Sequence, residues 1–195
     1  MKFELIADHV ALDFVNTVDN RYDPDRRAEL LNSYGDLLDF CEQTAVLSSP
    51  ERQKLNRIGK AAAERALRSA IELREGLEKV FSAVTEDRTT PAVDLDRLNG
   101  FLRAALPHRV LVPVRERLNW RWTGLESEPE GPLWPLAYAA AELLVSPEAA
   151  FVRECAAETC RWLFLDLSKN HSRRWCDMKL CGNRSKAKRY YQKRS

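Results

Sequence analysis

This chain has little that suits it to a membrane or to familiar enzyme chemistry. None of its apolar runs approaches the ~18 consecutive side chains of a membrane-spanning helix. Glu4 and Asp8 interrupt the apolar stretch that a secretory leader would need at the start. A cytoplasmic protein with no membrane contact is therefore expected. Histidine is scarce: the three residues, His9, His108 and His171, lie far apart, so no catalytic constellation can be assembled by spacing. No G-x-G-x-x-G, P-loop, nucleophile elbow or H-E-x-x-H occurs. A role without catalysis is the expectation, and an enzyme with its pocket near Asp13 and Asn16 is the alternative. There is no internal repeat and no low-complexity tract.

Cysteine is also sparse, but it is concentrated. Four of the five cysteines fall in the last forty-one residues as two pairs, Cys155/Cys160 and Cys176/Cys181, each pair enclosing four residues. In a reducing compartment such pairs read as metal ligands rather than disulfides. Four thiolates fill a tetrahedral zinc site at ~2.3 Å each and leave no position open for water or substrate. One structural Zn²⁺ per chain is the expectation, with buried thiols or a labile disulfide as the bland alternative. Cys41 stands alone on an apolar helical pattern and reads as a small buried hydrophobe. Residues 151–154 and 161–166 read as strands flanking the first pair. Gly182 and Asn183 follow the last cysteine, and Asn183 can cap a helix running to about Lys193. Knuckle, hairpin and a final ligand at a helix start together describe a treble clef. Trp162, Phe164 and Trp175 are expected to pack over it.

Charge is divided along the chain. Residues 161–195 hold eleven Lys/Arg against two acids, a net of +9, while residues 1–160 net −7. Such asymmetry marks nucleic-acid or membrane binding by the charged part. The candidates are Arg173 and Arg174 before the third cysteine, then Arg184, Lys186, Lys188, Arg189 and Lys193 along the final helix. A solvated face, or a surface docking RNA or protein, are the rivals, and these residues alone do not separate DNA from RNA. Because a single finger binds weakly, a homodimer or a second contact is expected.

The rest of the chain reads as an α+β arrangement, a helix-rich N-terminal domain with a small sheet (residues 1–148) ahead of the cysteine module (149–195). Val10 to Asn20 reads as a helix with Asp13, Asn16, Thr17 and Asn20 along one side. With His9 and Arg21 close by, His9, Asp13, Asn16, Thr17 and Arg21 are candidates to line a small-ligand pocket. A buried hydrogen-bond network is the equal alternative. Helices are also expected over 34–45, capped by Ser33; over 50–84, with a break near Gly59 or Gly76; from Asp94 to Ala105; and over 134–145. Residues 108–112 and 117–123 read as strands, the second alternating Leu118, Trp120 and Trp122 with Arg117, Asn119 and Arg121.

Cys160-Arg-Trp-Leu-Phe-Leu-Asp166, Asn170-His-Ser-Arg-Arg-Trp-Cys176 and Met178, then Cys181-Gly-Asn-Arg184 and Lys186-Ala-Lys188 together resemble the CGNR zinc finger. Leu12-Asp-Phe-Val-Asn-Thr17 is similar to the hallmark of the ABATE domain that precedes this finger. The resemblance implies a treble-clef zinc site ligated by the four cysteines and a DNA-binding role. It also implies a stress-induced transcription regulator whose N-terminal domain binds an unidentified ligand.

Overall fold

The computed structural model describes residues 3–192, with side chains to Ala187. A short helix, α1 (Val10–Val15), is capped by His9, whose Nδ1 accepts from the Ala11 N–H. It ends earlier than its polar stripe predicts. Asn16 and Thr17 turn their side chains to backbone groups, Thr17 Oγ1 donating to the Phe14 carbonyl at 2.7 Å. Asn20 adopts φ +46°. Short polar residues compete with helix in this way. The chain runs instead into β1 (Val18–Asp19), paired antiparallel with β2 (Ala28–Glu29).

Next comes α2 (Tyr34–Gln43), opened by a capping box in which Ser33 Oγ accepts from the Asp36 N–H and the Asp36 carboxylate accepts from the Ser33 N–H. The Ser48 box starts α3 (Ser49–Leu55). Gly59 breaks the expected long element there, and α4 (Lys60–Thr85) continues as a 26-residue helix. Its Ala66, Ala70, Leu73, Leu77 and Val80 are buried at helical spacing. Gly76 does not break α4: it lets Arg97 of α5 (Ala92–Ala105) cross closely, 3.3 Å from where a Cβ would stand. The hairpin of β3 (Arg109–Val114) and β4 (Arg117–Trp122) follows, in the register Leu111 opposite Trp120. Then α6 (Leu133–Val145) enters the core through Leu133, Leu136, Ala137 and Ala140.

The cysteine module contributes β5 (Val152–Glu154) and β6 (Leu163–Leu165), an antiparallel pair, and α7 (Asn183–Gln192) after a π-type turn over Met178–Gly182. Asp177, not Asn183, caps this last helical stretch, its carboxylate accepting from the Leu180 N–H at 2.8 Å. Leu163, Phe164 and Leu165 are buried in the same core as Leu12, Phe14 and Val15. The finger's hairpin is thus one wall of the helical domain's interior. Trp162 is buried and Trp175 packs against the same core. No helix among the described residues is long and apolar enough to cross a membrane.

Candidate metal centre and its junction with the helical domain

Cys155 and Cys160 lie in the turn between β5 and β6; Cys176 and Cys181 lie on the segment that leads into α7. All four are buried and free, and their sulfur atoms lie within 4.8 Å of one another. Cys160 Sγ is 3.6 Å from Cys176 Sγ, which is 3.7 Å from Cys181 Sγ. A tetrahedron with ~2.3 Å metal–sulfur bonds has edges of about 3.8 Å, so these separations fit one zinc ion and are far too long for disulfides. The donor set needs a cation. Hydrogen bonds from Cys160 and Cys176 pull the Cys155 thiol well below its ordinary value. Sharing with Cys155 pushes Cys160 and Cys176 up, and burial pushes Cys181 up. Four such sulfurs cannot all ionise unless a divalent ion sits among them. Bound there, zinc supplies fold stabilisation rather than reactive chemistry.

The module is tied to the helical domain by polar contacts that explain the short residues near the start of the chain. Asn16 Nδ2 donates to the Leu163 carbonyl at 2.8 Å, and Asn16 Oδ1 accepts from the Leu163 N–H at 3.0 Å. The Trp162 indole donates to the Val18 carbonyl at 2.9 Å, and the Leu165 N–H to the Ala7 carbonyl at 2.9 Å. Asp13 accepts from the Ala7 N–H at 3.0 Å. Burial raises the Asp13 carboxyl to about 6, against backbone N–H bonds from Ala7 and Ile6 that favour the charge. Burial also lowers the His9 imidazole, which suits its role as an acceptor cap.

Thr17 and Arg21 join a second cluster, around a fully buried arginine. Arg74 of α4 pairs with both Glu29 carboxylate oxygens at 2.6 and 2.7 Å, with Glu75 at 2.9 Å, and reaches Thr17 Oγ1 at 3.3 Å. Arg21 bonds Glu75 and the Val15 carbonyl. Burial works to raise Glu29 and Glu75, but the arginines outweigh it and hold both below the usual carboxylate range. The five residues read as pocket candidates are thus divided between two clusters: His9, Asp13 and Asn16 bond backbone of α1, of Ala7 and of Leu163, and Thr17 and Arg21 lie around Arg74 and Glu75. Sequence reasoning missed Arg74. It lies four residues after Ala70 and three before Leu77, the spacing of the buried stripe, and a charge at that register was a readable sign of a buried partner.

The basic residues divide into two kinds. Arg173 is half-buried, with its guanidinium engaged by the protein. Its Nε donates to the Trp175 carbonyl at 2.9 Å and its other nitrogens to Asp8 at 2.6 Å, the Ile6 carbonyl at 3.1 Å and the Cys176 carbonyl, while the guanidinium covers the Phe164 ring at 4.5 Å. These contacts make it a latch between the finger and the start of the chain. Asp166, fully buried, holds the same loop by accepting from Ser168 and from the Arg173 N–H at 2.8 Å. Burial pushes its carboxyl up, but these bonds outweigh it and keep it below the usual range. Arg174, Arg184 and Lys186 are exposed and make no ion pair among the described residues. Arg174 lies only over the Trp175 ring, at 5.4 Å. The backbone of Lys188 and Arg189 lies on α7, and Lys193 lies outside the described residues. A cavity of about 270 Å³ opens beside the sulfur cluster, lined by Glu4, Asp19, Leu30, Trp162, Leu180 and Arg184 along with three of the cysteines.

Residues 152–194 match the CGNR zinc finger, and residues 8–147 match ABATE, a family described as "putative stress-induced transcription regulator". Among curated proteins none matches the chain. With most of its length matched in this order, the chain belongs to the ABATE family and carries a CGNR zinc finger behind that domain.

Proposed function

We propose that this protein is a transcription regulator that acts by binding rather than catalysis, its zinc finger gripping DNA through the start of α7. The observation that carries this reading is the placement of Cys181 directly ahead of that helix, with Arg184 and Lys186 exposed and free of described ion pairs. The four-cysteine cluster sets the direction of α7. A knuckle on the β5–β6 hairpin and a last ligand ahead of a helix support a treble-clef reading of the module. Arg174, Lys188, Arg189 and Lys193 extend the same basic stretch. Phosphate contacts of this kind give affinity by counterion release, so binding should fall steeply with salt. Fluorescence anisotropy of the zinc-loaded chain on duplex DNA over a salt series tests the reading. A linear fall of log K with log salt is expected; absence of binding at low salt overturns it.

Sensing of a small effector belongs to the same reading, and the cavity beside the sulfur cluster favours a place for it. Residues of the N-terminal domain (Glu4, Asp19, Leu30) and of the finger (Trp162, Leu180, Arg184) share its wall, so an occupant would touch both parts at once. The Asp13–Asn16 stripe is less suited, because its groups already hold backbone. A thermal-shift screen of small polar metabolites, repeated on Asp19→Asn, tests this placement. Shifts that persist unchanged in the variant count against it.

A further inference from the structure

The β3–β4 hairpin is the one large feature that neither the shared core nor the finger accounts for. Leu111, Leu118 and Trp120 are 54%, 65% and 56% exposed, and nearly every residue from Val110 to Arg121 is open to solvent on both faces. The hairpin is anchored at its foot alone. There the Arg109 guanidinium lies 3.7 Å from the Tyr138 ring centre and 5.1 and 5.2 Å from those of Trp120 and Trp122. Trp122 also meets Tyr138 edge-on at 5.7 Å. A two-stranded ribbon standing free in water is marginal, and large exposed side chains of this kind mark a contact surface.

The charge says what kind of surface. The register puts Arg117, Asn119 and Arg121 on one face of β4, opposite Val114, Val112 and Val110, with Arg115 in the connecting turn. Arg115, Arg117 and Arg121 are exposed and form no ion pair among the described residues, and Glu116 is the only acid between Arg109 and Trp122. This basic ribbon belongs to a segment, residues 1–160, whose net charge is −7. Guanidinium forks match phosphate, an asparagine amide matches an adenine edge, and the major groove admits a two-stranded ribbon. Arg121 lies four steps along the strand from Arg117, about 13 Å, so the two can hold different phosphates. We propose that the β3–β4 ribbon is a second DNA-contacting element, with Arg117 and Arg121 binding backbone phosphates and Asn119 between them reaching a base edge. The proposal rests on the reading of the finger as DNA-binding and provides the second contact that one weak finger requires.

The test uses the full zinc-loaded chain and a random-sequence duplex, measuring the slope of log K against log salt. Arg117→Ala/Arg121→Ala removes only exposed side chains, so the melting temperature should hold. The slope should become shallower by about 1.8, at ~0.9 per lost phosphate contact. Arg184→Ala/Lys186→Ala reports on the finger separately. If the finger variant flattens the slope and the ribbon variant leaves it unchanged, the ribbon proposal falls and the finger reading stands. If only the ribbon variant flattens it, the ribbon is upheld and the finger reading falls. No binding by the parent chain overturns both. The apolar face supplies one more outcome: if Leu118→Glu/Trp120→Ser converts a dimer to a monomer in sedimentation while the ribbon arginines leave the slope unchanged, the ribbon serves self-association and the proposal is wrong.

Discussion

Asn16 makes with its side-chain amide the pair of hydrogen bonds that a neighbouring strand would make with its backbone. Both bonds go to Leu163, which is buried, so truncation leaves a donor and an acceptor without water. Asn16→Ala should cost about 2–6 kcal/mol in urea unfolding, at about 1–3 kcal/mol per orphaned group. A loss within about 0.5 kcal/mol, the scale of an ordinary surface change, would free Asn16 for a ligand role after all. Asp13, three residues earlier, acts through pH. Its folded pKa of about 6 lies above the unfolded value, so between pH 4 and 6 the native state binds more protons than the unfolded chain. Stability from this group is therefore fullest below about pH 4 and is lost as pH rises through about 6. The difference in unfolding free energy between parent and Asp13→Asn should change by roughly 2 kcal/mol across that window. A difference that stays flat from pH 4 to 7 would show that Asp13 is not held near-neutral.

Among the elements, those with strong local signals were legible in the sequence. The Ser33–Asp36 and Ser48–Glu51 boxes mark helix starts, and the apolar stripe of α4 marks its buried face. The four zinc ligands were legible too, because paired thiols at matched spacing have few other uses in a reducing compartment. Long-range partners were not. Nothing local in Asn16 names Leu163, 147 residues away, and nothing near Arg173 names Asp8. The polar stripe of α1 was visible, but its partners come from the far end of the chain, which is why pocket and network looked alike. The turn before α6 holds another hidden constraint. A Cβ on Gly131 would stand 2.1 Å from the Leu125 carbonyl oxygen, a backbone atom that can move only with its strand of chain. Gly131→Ala should therefore destabilise by about 1–3 kcal/mol, as overpacking does. Gly35→Ala, in the first turn of α2 with only ordinary contact to Ser33, should instead stabilise by up to about 1 kcal/mol. Paired chemical denaturation of the two variants checks the contrast, and equal effects would mean that the turn can relax around the added methyl.

At the scale of the molecule, the finger and the helical domain share one interior, and this decides what metal loss should do. Were the finger a separate bead on a linker, chelation would melt little beyond α7 and its hairpin, and the 26-residue α4 would keep its helical signal and its melting temperature. In this structure β6 is buried against α1, bonded to Asn16 and Ala7, and latched to Asp8 through Arg173. Four thiolates released from zinc within that wall would repel one another or take up protons, and the wall would loosen with them. Apparent zinc stabilisation of ~10–16 kcal/mol equals or exceeds the ~5–15 kcal/mol that holds an ordinary domain together. Chelation under reducing conditions should therefore lower the whole unfolding transition as a single cooperative step, with circular dichroism at the helical minimum falling by far more than ten residues of α7 can supply. The Arg173→Ala variant, with zinc retained, should weaken the coupling and begin to separate the step into two. Two transitions in the parent chain, with the larger one indifferent to zinc, would mean that the interior contacts carry no such coupling.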